Sequence, residues 1–345
     1  MTLPSRASFR DIPLYSPSKV KCSVDLSDNT NLFGMPPAAE RVLRETVASH
    51  VTRYPVGYAQ DLKRAVAAYT GVEPSGVTTG CGSDDVIDST LRAFLEPGDL
   101  LAFPDPTFVM LPYFAKTNAL RAAPVPLKPD FDIDVDGLLA TGAKLIYVCT
   151  PNNPTGTPAS RAALERLVDN APGIVLLDEA YAEFARESHL DLASRPNVLA
   201  TRTLSKAFGL AGMRVGYAVG NPTLVTELEK ARGPYKVAGL SERIATAVLS
   251  EDVPWMKARA AESLAIRERL VAELENLGLK SLPTEANFVM VPLPGAPAVA
   301  ERMRQRDVNV RAFQGLAVVG DALRIGCGPW TLMEAALTAL REALR

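Results

Sequence analysis

Short apolar runs alternate with amphipathic helical patterns along the chain up to about residue 235. Continuous apolar runs rich in β-branched residues predict buried strands, and helical patterns such as 59–70 and 84–95 lie between them. The predicted strands cover residues 100–103, 144–149, 173–178, 198–203 and 214–219. Because strands without a polar face alternate with helices, the pattern predicts an α/β fold with a mostly parallel central sheet covered by helices.

After about residue 235 the pattern changes to successive helices followed by shorter strands. The helices are predicted at 238–250 and 254–277, the strands at 287–291, 308–312 and 322–326, and a last helix from about residue 330. This order indicates a smaller α+β domain, and the irregular, proline-rich N-terminal region indicates an arm. We therefore predict an arm with part of the small domain at 1–38, a large domain at 39–250 and a small C-terminal domain at 251–345.

Composition excludes several classes of function. The chain has 345 residues, 47% hydrophobic and 22% charged, with a formal net charge of -2. No dense Lys/Arg run indicates a nucleic-acid partner, and no apolar run is long enough to indicate a membrane span. The first residues lack the apolar core of a signal peptide, so we expect a cytoplasmic protein.

Cysteine and histidine are too sparse to predict a metal centre. The four cysteines are far apart and form no C-x-x-C pair, so we expect reduced thiols without a zinc site or disulfides. The chain has only two histidines, which argues against zinc-dependent hydrolysis. Catalysis therefore has to use other side chains.

Two polar segments at predicted strand ends could hold a ligand. G-C-G-S-D-D, residues 80–85, opens a helix with Ser83 and Asp84, and free backbone N–H groups there can bind a phosphate. A structural turn with a helix N-cap explains the same residues, and the missing third glycine disfavours a dinucleotide site. P-N-N-P-T-G, residues 151–156, is a rigid turn that holds the amide of Asn153 at the mouth of a strand.

Two further segments carry charges in apolar surroundings. In D-E-A-Y, residues 178–181, Asp178 ends an apolar strand and needs a partner, which could be an N-cap, a salt bridge or a cationic ring nitrogen. T-L-S-K-A-F-G-L-A-G-M-R-V-G, residues 203–216, places Lys206 among small and apolar residues. Desolvation lowers the pKa of such a lysine, so that its free amine can condense with an aldehyde.

Taken together, the four segments meet the requirements of one cofactor, pyridoxal 5′-phosphate (PLP). A lysine amine reacts with the aldehyde, and a strand-end carboxylate keeps the pyridine ring protonated as an electron sink. Asparagine and tyrosine can bond the phenolate oxygen, and hydroxyls with an arginine can surround the phosphate.

The ordered motifs P-N-N-P-T-G, D-E-A-Y and T-L-S-K-A-F-G-L-A-G-M-R-x-G resemble those of fold-type I PLP-dependent aminotransferases. The similarity is greatest to the histidinol-phosphate aminotransferase group of class II and extends from 26–34 through R-Y-P at 53–55 to L-R-I-G at 323–326. The resemblance implies the fold-type I architecture and transamination between histidinol phosphate and 2-oxoglutarate in histidine biosynthesis.

The resemblance also implies roles for individual residues. Lys206 would be the Schiff-base lysine and proton shuttle, Asp178 would pair with the ring nitrogen, and Tyr181 would bond the 3′-oxygen with Asn153. The residues expected around the phosphate are Gly82, Ser83, Asp84, Thr203, Ser205 and Arg214. Phe108 would stack on the ring where the family often has tyrosine.

Further implied residues lie at the subunit contact and around the substrate. Tyr54 is similar to a tyrosine that reaches the cofactor phosphate of the other subunit, which implies a homodimer with shared active sites. Arg324 is similar to the arginine that pairs with the α-carboxylate of the amino acid. The other substrate-binding residues implied are Tyr15, Asn31 and Arg311. Histidinol phosphate has a phosphate-bearing carbon where glutamate has its α-carboxylate, so one arginine site could hold both partners of the exchange.

Two departures from the family pattern leave alternatives open. Thr30 stands where a glutamate is usual, and Lys236 stands where asparagine is frequent. An aromatic amino-acid aminotransferase or a phosphothreonine-type decarboxylase on the same scaffold therefore remains possible. A nicotinamide-dependent oxidoreductase or a non-catalytic regulator would require Lys206 to be incidental.

Overall fold

The structure, a computed structural model, describes residues 6–10, 12, 14 and 21–345. Within these residues the strands are β1 Val24–Asp25, β2 Val77–Gly80, β3 Leu100–Asp105, β4 Arg121–Pro126, β5 Leu145–Cys149, β6 Ile174–Asp178, β7 Val198–Thr203, β8 Gly216–Gly220, β9 Phe288–Pro292, β10 Val308–Asn309, β11 Arg311–Leu316 and β12 Gly320–Gly326. The α-helices are α1 Pro37–Arg44, α2 Ala48–Thr52, α3 Gln60–Thr70, α4 Gly82–Phe94, α5 Met110–Thr117, α6 Val135–Ala140, α7 Arg161–Asn170, α8 Pro222–Ala231, α9 Gly239–Glu251, α10 Val253–Asn276, α11 Ala296–Arg304 and α12 Trp330–Ala343.

A seven-stranded sheet forms the centre of the larger part of the molecule. Its strand order is β2-β8-β7-β6-β5-β3-β4, and only the pairings made by β8 are antiparallel. All residues of β5, β7 and β8 are buried, as continuous apolar runs require in a sheet covered on both faces. The predicted α/β class is therefore confirmed.

Pairing partners explain where strand prediction was incomplete. The edge strand β4 contains two prolines, which a strand tolerates only where backbone N–H groups need no partner, and it was not predicted. The single strand predicted at 308–312 is divided at Val310. Its first part, β10, pairs in parallel with β1, whereas β11 pairs antiparallel with β12.

A second hydrophobic core lies around the sheet β11-β12-β9 and helices α11 and α12. Leu26, which belongs to the predicted N-terminal region, is buried in this core. Helix α10 contributes Met256 to the first core and Leu270 to the second. The domain boundary at residue 250 therefore remains a prediction, because one continuous helix serves both cores.

No helix among the described residues is long and apolar enough to cross a membrane. The same residues contain no group of His, Cys, Asp and Glu side chains arranged to hold a metal ion. All four cysteines are free thiols, and two of them, Cys149 and Cys327, are buried.

Candidate active site

A cavity of about 650 Å³ lies at the carboxyl ends of β5, β6 and β7. Open parallel sheets bind ligands at this edge, because the loops that leave neighbouring strands converge there. The predicted residues that line the cavity are Ser83, Asp84, Phe108, Asn153, Asp178, Tyr181, Thr203, Ser205, Lys206, Arg214, Arg311 and Arg324. The volume suits a small molecule with a cofactor.

Lys206 lies in the turn that follows β7, with its side chain in the cavity. Its Nζ donates a hydrogen bond to the backbone oxygen of Asp28 at 2.9 Å and lies 5.9 Å from the ring centre of Tyr181. Burial and the nearby guanidinium of Arg324 lower the pKa of Lys206 to about 8. The site therefore contains a lysine whose free amine is accessible near neutral pH.

Asp178 ends β6 and is buried. Its Oδ2 accepts a hydrogen bond from the hydroxyl of Tyr147 at 2.7 Å, and its Oδ1 accepts one from the backbone N–H of Ala180 at 3.0 Å. Burial raises the pKa of Asp178 to about 6, although both hydrogen bonds oppose the shift. The carboxylate thus has protein partners and still lines the cavity, where it can meet a cationic group.

Asn153 and Tyr181 lie on the same wall of the site. Arg324 donates to Oδ1 of Asn153 and to the backbone oxygen of Ser27, both at 2.6 Å, which leaves the amide N–H₂ of Asn153 as its donor for a ligand. The Tyr181 hydroxyl accepts from the side chain of Asn29 at 3.1 Å. Burial raises the pKa of Tyr181 to about 12, so its hydroxyl remains a donor.

The start of α4 forms an anion cradle with the loop after β7. A guanidinium N–H of Arg214 lies 3.4 Å from the Ser205 hydroxyl, and another lies 3.4 Å from an Asp84 carboxylate oxygen. Gly82 has φ +82°, and a Cβ there would lie 2.5 Å from Nη2 of Arg214. The backbone N–H groups at the helix start, two hydroxyls and one arginine are the donors that a phosphate group requires.

Two arginines come from the three-stranded sheet. Arg311 on β11 and Arg324 on β12 are direct register partners, and both line the cavity. Adjacent guanidinium groups favour a substrate with a carboxylate or phosphate on this side of the site.

Two described residues whose side chains the resemblance places at the site, Tyr54 and Asn31, do not line the cavity of this chain. Tyr54 is 85% exposed and stacks on Tyr235 with ring centres 5.1 Å apart. Asn31 donates from its amide to the backbone oxygen of Ala207, next to Lys206. Tyr15 lies outside the described residues. The roles of all three remain predictions.

The two departures from the family pattern have local partners. Lys236 forms an ion pair with Asp85, with Nζ 2.6 Å from Oδ1, and the other carboxylate oxygen of Asp85 accepts from the backbone N–H of Cys81. Lys236 thus binds the helix start that forms the anion cradle. The Thr30 hydroxyl donates to the carboxylate of Asp28, whose backbone oxygen binds Lys206.

Sequence reasoning missed Tyr147 and Asn29, whose side chains donate hydrogen bonds to Asp178 and Tyr181. Tyr147 stands inside the apolar run K-L-I-Y-V-C, where an aromatic residue is typical of core packing. No local sequence pattern marks its hydroxyl, because the contact depends on strand register. Tyr147 lies two residues before Cys149, the register partner of Asp178.

Comparisons with known proteins agree with this geometry. The family model "Aminotransferase class I and II" matches residues 22–340. The chain is 34% identical to a histidinol-phosphate aminotransferase from Thermoanaerobacter pseudethanolicus over 98% of both chains. It is 36% identical to an aromatic amino acid aminotransferase from Corynebacterium efficiens, over 89% of this chain and 92% of that protein.

A solved structure gives the same result. The histidinol-phosphate aminotransferase from Sinorhizobium meliloti, solved in complex with pyridoxal-5′-phosphate, superposes with a TM-score of 0.87 and 27% identity, over 94% of this chain and 92% of that one. Since the family match spans nearly all described residues, and the cavity contains the lysine, the carboxylate and the anion cradle, the chain belongs to the class I and II aminotransferase family.

Proposed function

We propose that this chain is a PLP-dependent aminotransferase that transfers an amino group between histidinol phosphate and 2-oxoglutarate in histidine biosynthesis. The observation that carries the proposal is the Lys206 amine, with a pKa of about 8, in one cavity with Asp178 and the Arg311–Arg324 pair. The names of the relatives from T. pseudethanolicus and S. meliloti support this choice of substrate.

The residues of the cavity fit PLP. When bound, the cofactor supplies an aldehyde that combines with amines and a ring that withdraws electrons from the substrate Cα. Asp178 would hold the ring nitrogen, and the side chains of Asn153 and Tyr181 would hold the 3′-oxygen. The residues that would hold the phosphate are Gly82, Ser83, Asp84, Thr203, Ser205 and Arg214, and Phe108 would cover one face of the ring.

The lowered pKa of Lys206 gives its amine an unprotonated fraction that can accept a proton. A pKa of about 8 leaves about one tenth of its amine unprotonated at pH 7, against about 0.03% for a lysine with the ordinary pKa. Its Nζ can therefore take the proton from the substrate Cα and return it.

The arginine pair determines which substrates fit. Arg324 and Arg311 would bind the α-carboxylate of glutamate in one half of the reaction and the phosphate of histidinol phosphate in the other. Both partners present an oxyanion with the geometry that guanidinium groups bind in a bidentate manner. One anionic site can thus serve both halves of a ping-pong exchange.

A half-reaction panel tests the substrate. The PLP-loaded protein is mixed separately with histidinol phosphate, phenylalanine, tyrosine and phosphothreonine, and the absorbance change to the pyridoxamine form is followed. We expect histidinol phosphate to react roughly 100-fold faster than the aromatic amino acids, because it fills the anionic site with a phosphate that they lack.

Each other outcome of the panel contradicts a stated part of the proposal. Equal rates with the aromatic amino acids would favour the second candidate, an aromatic aminotransferase, which the relative from C. efficiens supports. Release of CO₂ from phosphothreonine would show a decarboxylase. A protein that takes up no PLP would contradict PLP-dependent chemistry altogether.

We also propose that two copies of the chain form a homodimer, in the cytoplasm. Several large apolar side chains that are 51–85% exposed lie in two nearby segments: Val47, Val51, Tyr54, Val56 and Tyr235. Tyr54 and Tyr235 stack on each other, so the two segments form one apolar surface. Such a patch is typical of an interface, and burial against a second copy would give Tyr54 a route to the partner's active site.

A further inference from the structure

The hydroxyl of Tyr147 is buried directly behind the active-site carboxylate. Tyr147 is 0% exposed, lies on β5 and does not line the cavity, whereas Asp178 on the neighbouring strand β6 does. The parallel register pairs Cys149 with Asp178, and residues two apart on a strand share a face. The 2.7 Å hydrogen bond from Tyr147 therefore reaches Asp178 from within the sheet, away from the ligand.

The pair of hydrogen bonds on Asp178 fixes its orientation. Oδ2 accepts from Tyr147 and Oδ1 from the backbone N–H of Ala180, so each oxygen holds one donor and the carboxylate plane cannot rotate freely. Each oxygen keeps further lone pairs for a donor in the cavity. A phenylalanine would fill the same space in this apolar strand, so packing alone does not require the hydroxyl.

Both hydrogen bonds also favour the charged form of the carboxyl group. Burial, and to a lesser extent the negative charges of Asp84 and Glu179, raise the pKa of Asp178. The other titratable groups that face it, Tyr147 and Cys149, are themselves held neutral by burial. The Tyr147 hydroxyl is therefore the side-chain donor that opposes protonation of Asp178.

We propose that Tyr147 is a positioning residue that keeps Asp178 ionised and oriented toward the ring nitrogen of the cofactor, an inference that rests on the proposed function. Proton location matters here, since the ring withdraws electrons well only when its nitrogen carries the proton. Without the hydroxyl, the proton shared between the ring nitrogen and Asp178 shifts toward the carboxylate.

The test uses Tyr147→Phe in the PLP-loaded protein, with the ring nitrogen of PLP labelled with ¹⁵N. We expect the ¹⁵N resonance at pH 7.5 to lie at the pyridinium position in the parent protein and to move toward the neutral-pyridine position in Y147F. PLP affinity, measured by fluorescence, should fall about tenfold, in line with the loss of one hydrogen bond to a charged group. Affinity for a PLP analogue with carbon in place of the ring nitrogen should not fall.

A matched control and a second background separate this role from packing. Tyr217 is another buried tyrosine of the same sheet, and the charged groups around its hydroxyl are Arg202, Glu183 and Glu179. Y217F should leave the ¹⁵N resonance unchanged. In an Asp178→Asn background, adding Y147F should change PLP affinity no further, because the residue through which Tyr147 acts has lost its charge.

The outcomes distinguish the inference from the proposed function. An unchanged ¹⁵N resonance in a folded Y147F protein, or equal losses of affinity for PLP and the analogue, would overturn the role of Tyr147 while leaving PLP chemistry intact. Failure of the parent protein to bind PLP would overturn the proposed function first.

Discussion

Three groups in the cavity are shifted toward their neutral forms by the same physical cause. Burial lowers the pKa of Lys206 to about 8 and raises those of Asp178 and Tyr181 to about 6 and 12. Near neutral pH the pKa shifts of Lys206 and Asp178 lower the stability of the protein without cofactor, and a ligand of the opposite charge or a hydrogen-bonding partner can offset this cost. The residues that make the site reactive are therefore expected to make the protein without cofactor less stable.

Asp178 gives a direct test of this expectation through Asp178→Asn. Its folded pKa of about 6 lies above the ordinary 3.8, so the folded state binds more protons between these values and loses stability as pH rises through that window. At pH 8 the raised pKa of Asp178 lowers the free energy of unfolding by roughly 3 kcal/mol, and at pH 5 it lowers it by about half as much. Urea unfolding of cofactor-free protein should show D178N more stable than the parent, with the larger gain at pH 8.

An exposed carboxylate provides the control for this change. The side chain of Asp130 is 69% exposed, and Asp130→Asn should alter the free energy of unfolding little at either pH. D178N could instead raise the free energy of unfolding equally at pH 5 and pH 8, or lower it at pH 8. Either result would show that burial of the Asp178 charge is not the main source of lost stability.

At the scale of single residues, prediction from sequence depended on whether a residue lies in a motif. Lys206 and Asp178 stand at strand ends in recognisable segments, and both line the cavity. Tyr147 looks like any core aromatic, and only strand register reveals its hydroxyl as a partner. The contact between Arg324 and Asn153 joins residues 171 positions apart, for which local spacing carries no signal.

Among the elements, the start of α4 depends on close approach of two chain segments. A side chain at Gly82 would meet the guanidinium of Arg214, and one at Gly216 would meet the backbone of Gly82 and Ser83. Glycine at both positions therefore brings the helix N-terminus and the arginine together. The anion cradle exists because neither position carries a Cβ.

Gly82→Ala should separate this steric requirement from backbone strain. Gly98 is the matched control, because its φ of +92° is similarly unfavourable for alanine but a Cβ there would meet nothing within 4 Å. Each substitution should cost about 1 kcal/mol of stability through the positive φ. Only G82A should displace Arg214, and we expect PLP affinity measured by fluorescence to fall about tenfold or more. Equal PLP affinity in G82A and G98A would contradict the cradle.

Elements with strong local patterns were predicted well, and those defined by their neighbours were not. The runs at 144–149 and 198–203 correspond closely to β5 and β7, because continuous apolar residues fit a strand covered on both faces. Strand β4 contains prolines that argue against a strand unless its edge position is known. The division at Val310 depends on which strands pair on either side, and β1, the partner of β10, lies far away in the sequence.

For the whole molecule, the apolar surface around Tyr54 predicts how assembly and activity are linked. Val51 is 69% exposed at this surface, and Val51→Asp would place a charge in the proposed contact between copies. We expect sedimentation to give a dimer for the parent and a monomer for V51D, with loss of most aminotransferase activity, because in the proposed dimer each site would use Tyr54 of the other copy. Val318, 48% exposed outside this surface, is the control, and V318D should stay dimeric and active. A dimeric V51D with full activity would contradict the proposed interface.

The short pairing of β1 with β10 has a consequence for synthesis of the chain on the ribosome. Val24 pairs with Val308, and the Ser23 N–H bonds to Asp307, 284 residues later. At 5–20 residues per second, about 15–60 s pass between synthesis of these two segments. Leu26 has no core to enter during that interval, so the smaller core can form only after nearly all of the chain has been made.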